Sequence, residues 1–430
     1  MAPQSSKSDQ TAELRATQAR PATSWPLDRL SRASGDARRI LFVRALRGFA
    51  DGLVSVLLAS HLMGLGFTPL QVGAIVTGTL LGSAALTIAL GLAAHRYARR
   101  HVLLGAAALM LATGAGFASL TAFWPLLVVA VLGTLNPSAG DVSVFVPTEQ
   151  AALAQTTSGS ERTHLFAWYN VAGNFMGALG ALATALPPLL AHAYGIDAAL
   201  GGRSGFVLYA AIAVVSVAVY AGLGADVEAR STAPGRPLAR SRRVVVHLAG
   251  LFSLDSFGGG FVVQSLLVLW LYERFHLSIP ATGSIFFAAG ILGGLSQLVS
   301  PILAARIGLV PTMVYTHLPA NLLLVAAGLV PDVRLAVTFL LLRASLSQMD
   351  VPARQAYVMA VVPPEERAAA ASVTNVPRSL AAALPPLFTG AMLTHSAVGW
   401  PLVCGGLLKA LYDLLLLVQF RAVAPRNEDD

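Results

Sequence analysis

From about Leu41 to Phe420 the chain is a series of apolar runs, separated by short breaks containing Gly, Pro and Arg. Each run is roughly 18 to 26 residues, and about 20 residues of helix cross a hydrocarbon core about 30 Å thick. Backbone N–H and C=O groups inside a bilayer have no water to bond, so such runs fold as helices that satisfy their own polar groups. Only 12% of the residues are charged and 55% are hydrophobic, where a soluble globular protein carries about 25% charged residues. The sequence therefore specifies an all-α integral membrane protein that crosses the bilayer many times.

That reading disposes of several function classes. The net charge of +8 suggests nucleic acid in a soluble protein, but here the arginines lie in tails and short loops, where the positive-inside rule puts them. No nucleic-acid partner is called for. Cys404 is the single cysteine and sits inside an apolar run, so neither an intrachain disulfide nor a thiolate metal site is available. The two lysines, Lys7 and Lys409, are not in a phosphate-loop setting, and no HExxH or GxSxG pattern occurs. ATP-driven transport and zinc-protease chemistry have no support, the histidines lack ligand spacing, and we expect neither metal nor cofactor.

Residues 1–38 are polar and read as a disordered cytoplasmic tail, with neither the apolar core of a signal peptide nor a span. Six apolar segments follow within 39–225, at about 40–64, 70–93, 102–121, 125–149, 165–190 and 205–224. A basic linker at 226–243 precedes six more within 244–421, at about 245–271, 281–304, 309–330, 335–361, 367–392 and 398–420, before a short tail at 422–430. Twenty of the 29 lysines and arginines fall on the side of the termini and linker, against Arg203, Arg274 and Arg334 on the other. Both termini and the linker are thus expected in the cytoplasm.

The chain also repeats itself. Val146-Pro147-x-x-Gln150-Ala151, Glu161-Arg162 and Asn170 recur 205 positions later as Val351-Pro352-x-x-Gln355-Ala356, Glu366-Arg367 and Asn375. A second echo, at offset 210, pairs Gly73 with Gly283 and Arg96 with Arg306. Internal symmetry of this kind marks duplicated transporter halves, and because six is even the two copies point the same way.

Two parallel six-span repeats, a basic central loop and cytoplasmic termini resemble the major facilitator superfamily of secondary transporters over about residues 40–420. The loop after span two, Gly91-Leu-Ala-Ala-His95-Arg96-Tyr97-Ala98-Arg99-Arg100, is similar to that family's signature, with His95 in place of the acid that clamps neighbouring helix ends and Ala98 in place of the second glycine. Gly173-x-x-x-Gly177-x-x-Gly180 in span five is similar to the glycine-rich motif of the family's antiporters, without its proline. The resemblance implies twelve helices, a substrate cavity between the halves, alternating access and a lean toward export. Small residues at that spacing also permit close helix packing by themselves.

Function should show in the charged residues inside spans, each of which costs roughly 2.5–3.5 kcal/mol to insert and must face protein or water. Arg44, Arg47 and Asp51 share one stripe of span one. Asp51, about 15 Å deep, is the first candidate for a proton-titrating carboxylate, the other reading being a static pair with Arg47 four residues away. Asp255 in span seven, ahead of Gly258-Gly259-Gly260, and Asp141 in span four are the further candidates. Span ten carries Arg343, Ser347, Asp350, Arg354 and Tyr357 on one stripe.

The repeat places Glu149 opposite Arg354, suggesting a salt bridge between halves at a cytoplasmic gate, made in one state and broken in the other, with Arg47 and Arg96 as companion gate residues; the other reading is that each charge caps its own helix or bonds loop backbone. The substrate cavity is expected to draw on Arg343, Ser347, Asp350, Arg378, Asn170, Asn174, Asn375, Tyr315 and His317, which suit an amphiphilic organic solute. Lys409 and Asp413, four apart in span twelve, read as a self-neutralising pair, and the repeated Glu161 and Glu366 as acids at the starts of their own helices. Together these readings describe a proton-coupled transporter of a small organic solute. Uptake of an organic anion with protons is the alternative raised by Arg343 and Arg378. A non-transporting receptor or scaffold with the same fold is the rival from another class, and it leaves this many buried charges without a use. The arginine- and alanine-rich composition points to a bacterial inner membrane, and the chain is expected to act as a monomer in the bilayer.

Overall fold

The computed structural model describes residues 33–93, 96–138, 143–156, 160–186, 188–189, 198–228, 238, 240–363 and 366–420. The described residues are helical throughout, with no strand. The first half contains α1 (Gly35–Gly64), α2 (Pro69–Ala93), α3 (Arg99–Ser119), α4 (Phe123–Leu132), α5 (Phe145–Gln155), α6 (Ser160–Ala183) and α7 (Ala198–Ala221). The second contains α8 (Arg242–Gly260), α9 (Gln264–Phe275), α10 (Ile279–Ile307), α11 (Leu309–Leu329), α12 (Val333–Ser347), α13 (Asp350–Val361), α14 (Arg367–Ala383), α15 (Pro385–His395) and α16 (Trp400–Phe420). Pairs α4/α5, α8/α9, α12/α13 and α14/α15 are each one span broken in its middle, so sixteen helices make the twelve spans of two parallel six-span repeats.

Breaks inside a membrane are tolerable only where protein satisfies the freed backbone, and three of the four show how. After Leu132 the chain carries Gly133 and Pro137; the Thr134 N–H donates to Thr113 Oγ1 at 3.2 Å, and Tyr209 donates to the Thr134 carbonyl at 3.1 Å. Between α8 and α9 the Phe261 carbonyl accepts from Thr389 at 3.0 Å, and the Ser265 N–H donates to the Pro137 carbonyl at 3.2 Å, tying two breaks together across the halves. At the α12/α13 break the Met349 carbonyl accepts from Ser300 at 2.5 Å. Spans four and ten were each expected as one continuous helix. The restart of α5 at Phe145 and that of α13 at Asp350 differ by the repeat offset of 205, so the repeated Val-Pro sits in the first turn of each restarting helix. That is where a missing N–H costs least.

Neighbour relations repeat as well. Helix α1 packs on α6 and α3 on α7; their counterparts α8 on α14 and α11 on α16 do the same. The glycines of α6 explain the first of these contacts. Gly48 and Gly52 of α1 lie so close to the Gly173 and Gly177 backbone that a β-carbon on either would strike it, and Gly180 lies equally close to the Phe49 carbonyl. Close packing therefore accounts for the glycine-rich motif of span five.

Contacts between halves run from α2 to α15 and α14, from α10 to α6, and from α9 to α1. They are tightest at the end of the bundle where α2 and α10 begin: Gly73 abuts the Pro386 carbonyl and Gly390, and Gly283 abuts Ala181 and Thr184. At the opposite end, where α1 starts, the halves part. There α2 exposes Leu92, and α10 exposes Leu298 and Ile302.

Two acids pin helix ends at that open end. Glu228, just after α7, accepts from the N–H groups of Arg99 (2.8 Å) and Arg100 (3.2 Å) at the start of α3. Glu366 accepts from the Arg240 and Ser241 N–H groups at 2.9 and 3.1 Å and from the Ser241 hydroxyl, so it caps the start of α8 and not its own helix. Its partner acid in the repeat, Glu161, and His95 lie outside the described residues and side chains.

Candidate functional site

Two buried charge clusters occupy the interior, one in each half. In the first, α1 carries Arg47 into the space between α5, α6 and α7. Its Nη1 lies 2.8 Å from Glu149 Oε2, its Nη2 donates to Ser143 at 3.0 Å, and its guanidinium stacks 3.7 Å above the Phe145 ring. Glu149 is fully buried and also accepts from Tyr169 at 2.5 Å and from Tyr220. One carboxylate thus joins four helices. Arg44, one turn earlier, lies over the Tyr169 ring at 4.9 Å and fills the space beside Gly173.

Asp51 is buried one turn beyond Arg47 and hydrogen-bonds to Asn136. It forms no ion pair within 4.0 Å among the described residues, because Arg47 turns to Glu149. The static Asp51–Arg47 pair considered from the sequence is absent. Asp141 lies outside the described residues.

In the second cluster Asp255 of α8 is the hub. Its Oδ1 lies 2.5 Å from Lys409 Nζ and 3.8 Å from His317 Nε2, and its Oδ2 accepts from Arg354 Nη1 at 3.0 Å. Arg354 also meets Asp350 at 3.4 Å and lies over the Phe252 ring at 5.5 Å. His317 Nδ1 is 2.9 Å from Asp413 Oδ1, and Asn321 donates to Asp413 Oδ2 at 2.8 Å. The cluster draws on α8, α11, α13 and α16.

The structure sorts the residues singled out from the sequence. Among the described residues every ion pair falls within one half, so Glu149 and Arg354 do not meet; Glu149 holds Arg47, and Arg354 holds Asp255 and Asp350. Lys409 and Asp413 do not neutralise each other. Partners reaching in from α8 and α11 intervene between them. Arg378 donates to Ser256 and to Asn375, each at 3.2 Å; Asn375 and Asn170 are exposed and Asn174 is half-buried.

Arg343 makes no ion pair within 4.0 Å, and its Nε is buried without a hydrogen bond. Ser347 is buried at the end of α12. Tyr315 is 55% exposed and stands about 200° around α11 from His317, away from the cluster. Arg96 is exposed in the loop after α2. Surface arginines 240, 242 and 243 line a separate groove with His247 at the start of α8.

Sequence reasoning missed Ser143, Asn136 and Tyr220, whose roles depend on helices far apart in the chain. A hydroxyl or amide within an apolar run was their only signal. Each cluster ties together helices of its own half.

Comparison with known proteins agrees with this architecture. The chain is 25% identical over 426 residues to the uncharacterized membrane protein YJR124C of Saccharomyces cerevisiae, covering 91% of this chain and 95% of that one. Its fold is similar to that of a bacterial homologue of the human lysosomal transporter Spinster, solved inward-facing and unoccupied, with a TM-score of 0.70, 14% identity, and coverage of 90% and 96%. A D-xylose–proton symporter gives a TM-score of 0.69 at 14% identity, over 89% of this chain and 97% of that one. The profile of the Major Facilitator Superfamily matches residues 40–386. With its repeated halves, broken central spans and buried charges already in view, the chain belongs to the Major Facilitator Superfamily of membrane transporters.

Proposed function

We propose that this protein is a proton-coupled secondary transporter that moves a small organic solute by rocking its two halves about a cavity between them, with export as its working direction. The observation that carries the reading is the distribution of buried charge. Each half is cross-tied by its own cluster, while no ion pair joins the halves among the described residues. Two bodies rigid within and loosely joined between are what alternating access requires. Positive-inside asymmetry makes the open end cytoplasmic, so the conformation described is inward-facing. The termini, the linker at 226–243 and the bacterial inner membrane follow from the same reading, as does action as a monomer. Arg47 and Glu149 then serve to hold the first half together, with Asp51 the unpaired acid available to a proton.

A specific observation favours a second reading. Among the described residues Arg343 has an unbonded Nε and no ion pair within 4.0 Å, and Arg378 is held by Ser256 and Asn375 without an acid. Fixed cations facing a cavity suit an anionic solute, whose uptake with protons is the alternative.

Proteoliposomes with an internal pH dye, challenged with lipophilic cations, organic anions and sugars, test both. Solute-triggered proton movement establishes coupling, its sign gives the direction, and the active class of solute chooses between readings. No flux of solute or protons from any class, with the protein folded and inserted, favours the receptor or scaffold reading.

A further inference from the structure

Three arginines at the start of α8 have no use in the fold. The positive-inside rule accounts for arginine at this end of the bundle, and several of those found there are spent on protein. Arg39 pairs with Asp36 at 2.8 Å, Arg99 donates to the Val227 carbonyl at 2.9 Å, Arg100 to that of Ala221, and Arg367 to that of Met359 at 3.1 Å. Arg240, Arg242 and Arg243 differ. All three are exposed, and among the described residues none forms an ion pair within 4.0 Å or a side-chain hydrogen bond. Glu366, which is buried, spends its carboxylate on the Arg240 and Ser241 N–H groups and the Ser241 hydroxyl. The helix end is thus capped while the guanidinium groups stay free.

The three cations line a groove of about 780 Å³ with His247, Val246 and Gly250. Arg243, His247 and Gly250 stand at i, i+4 and i+7, and Arg242 and Val246 at i and i+4, so each arginine heads a stripe that descends into the span. Val246 and Gly250 on those stripes are exposed. On one side the groove meets α16, where His247 Nε2 lies 2.7 Å from Gln419 Oε1. The residue before Gln419 is Val418, 82% exposed, which ends a row of exposed aliphatic side chains, Leu407, Leu411 and Leu414, spaced 4, 3 and 4 apart. A continuous aliphatic row of this kind on a span is a surface for lipid chains. Cations at the water's edge therefore adjoin an apolar wall that continues into the hydrocarbon.

We propose that this groove binds an acidic phospholipid of the cytoplasmic leaflet, its phosphate held by Arg242 and Arg243 with Arg240 at the rim, and its acyl chain lying along Val246 and Gly250 toward α16. Guanidinium and phosphate are complementary in charge and in their paired hydrogen bonds. A free phosphate would use the cations and leave the apolar wall without a purpose, whereas a phospholipid uses both. Each basic side chain near an acidic lipid surface is worth roughly fivefold in affinity. A headgroup held here anchors the start of α8 to the leaflet, whether or not the protein moves a solute.

The test uses the full chain in nanodiscs with Cys404→Ser and Val418→Cys, which leaves one cysteine for a bimane label beside the groove. Brominated phosphatidylglycerol and brominated phosphatidylcholine are compared as quenchers at equal mole fraction. Phosphatidylglycerol is expected to be the better quencher by about fivefold or more. Arg242→Gln with Arg243→Gln is expected to bring the two lipids within about twofold of each other. Arg38→Gln with Arg306→Gln, exposed arginines at the same end of the bundle, is expected to leave the preference intact.

Equal quenching by the two lipids in the otherwise wild-type chain overturns the proposal. So does an equal loss in the Arg38 and Arg306 pair, which would reduce the effect to general surface charge. Loss of the preference when inorganic phosphate replaces chloride at constant ionic strength assigns the groove to a free anion and overturns the lipid. If the Arg242 and Arg243 pair does not fold, Arg243→Gln alone is measured, and an unchanged preference overturns the site.

Discussion

The two halves bury the same device with its polarity reversed. In the first, the cation Arg47 is on the opening span and the acid Glu149 on the restarted helix of span four. In the second, the acid Asp255 is on the opening span and the cation Arg354 on the restarted helix of span ten. Each cation rests on a phenylalanine from the facing span, Phe145 or Phe252. What differs is the surroundings: two tyrosine hydroxyls complete Glu149, whereas Lys409 and His317 complete Asp255. The first cluster is closed by neutral donors and suits a fixed tie. The second is closed by a lysine and a histidine, so charge as well as hydrogen bonding completes it.

The comparison can be broken by mutation, most severely at Asp255. Asp255→Asn strands Lys409 as a buried cation and leaves Arg354 with Asp350 alone, and the expected loss is about 3–5 kcal/mol of stability, read from thermal unfolding in detergent. Glu149→Gln is expected to lose about 2–3 kcal/mol, because Asp51 remains within reach of Arg47's charge. Equal losses would mean that the surroundings do not matter. The double variant Arg47→Met with Glu149→Leu is expected to recover to within about 1 kcal/mol of wild type while the halves stay folded; failure to recover would give the pair a role beyond mutual neutralisation.

Helix packing separates the halves by a smaller margin. A β-carbon at Gly52 strikes the Gly177 backbone deeply, whereas one at Gly258 meets Lys409 Cγ at 2.7 Å and the Gly405 carbonyl at 3.0 Å, a shallower overlap. Gly52→Ala is expected to cost about 1–3 kcal/mol and Gly258→Ala less, by the same unfolding measurement.

Much of this was legible before any coordinates. Apolar run length gave the spans, and the 205-residue repeat located the equivalent positions Glu149 and Arg354. Its Val-Pro steps mark where α5 and α13 restart, although the runs themselves read as unbroken. Pairings were read less well. The i, i+4 rule joined Lys409 to Asp413 and Asp51 to Arg47, but a local rule yields wherever another helix offers a closer partner. Symmetry set Glu149 opposite Arg354 as a gate made in one state and broken in the other; in the conformation described each meets the opening span of its own half.

By itself the sequence determined the spans, their number, their duplication and which charges lie within them, because hydrocarbon thickness and backbone hydrogen bonding act on the chain locally. Only the tertiary structure decided which charge meets which. A buried ion takes whichever opposite charge the packing of neighbouring helices brings within about 4 Å, and that packing is fixed by contacts such as Gly52 on Gly177, between residues far apart in the chain.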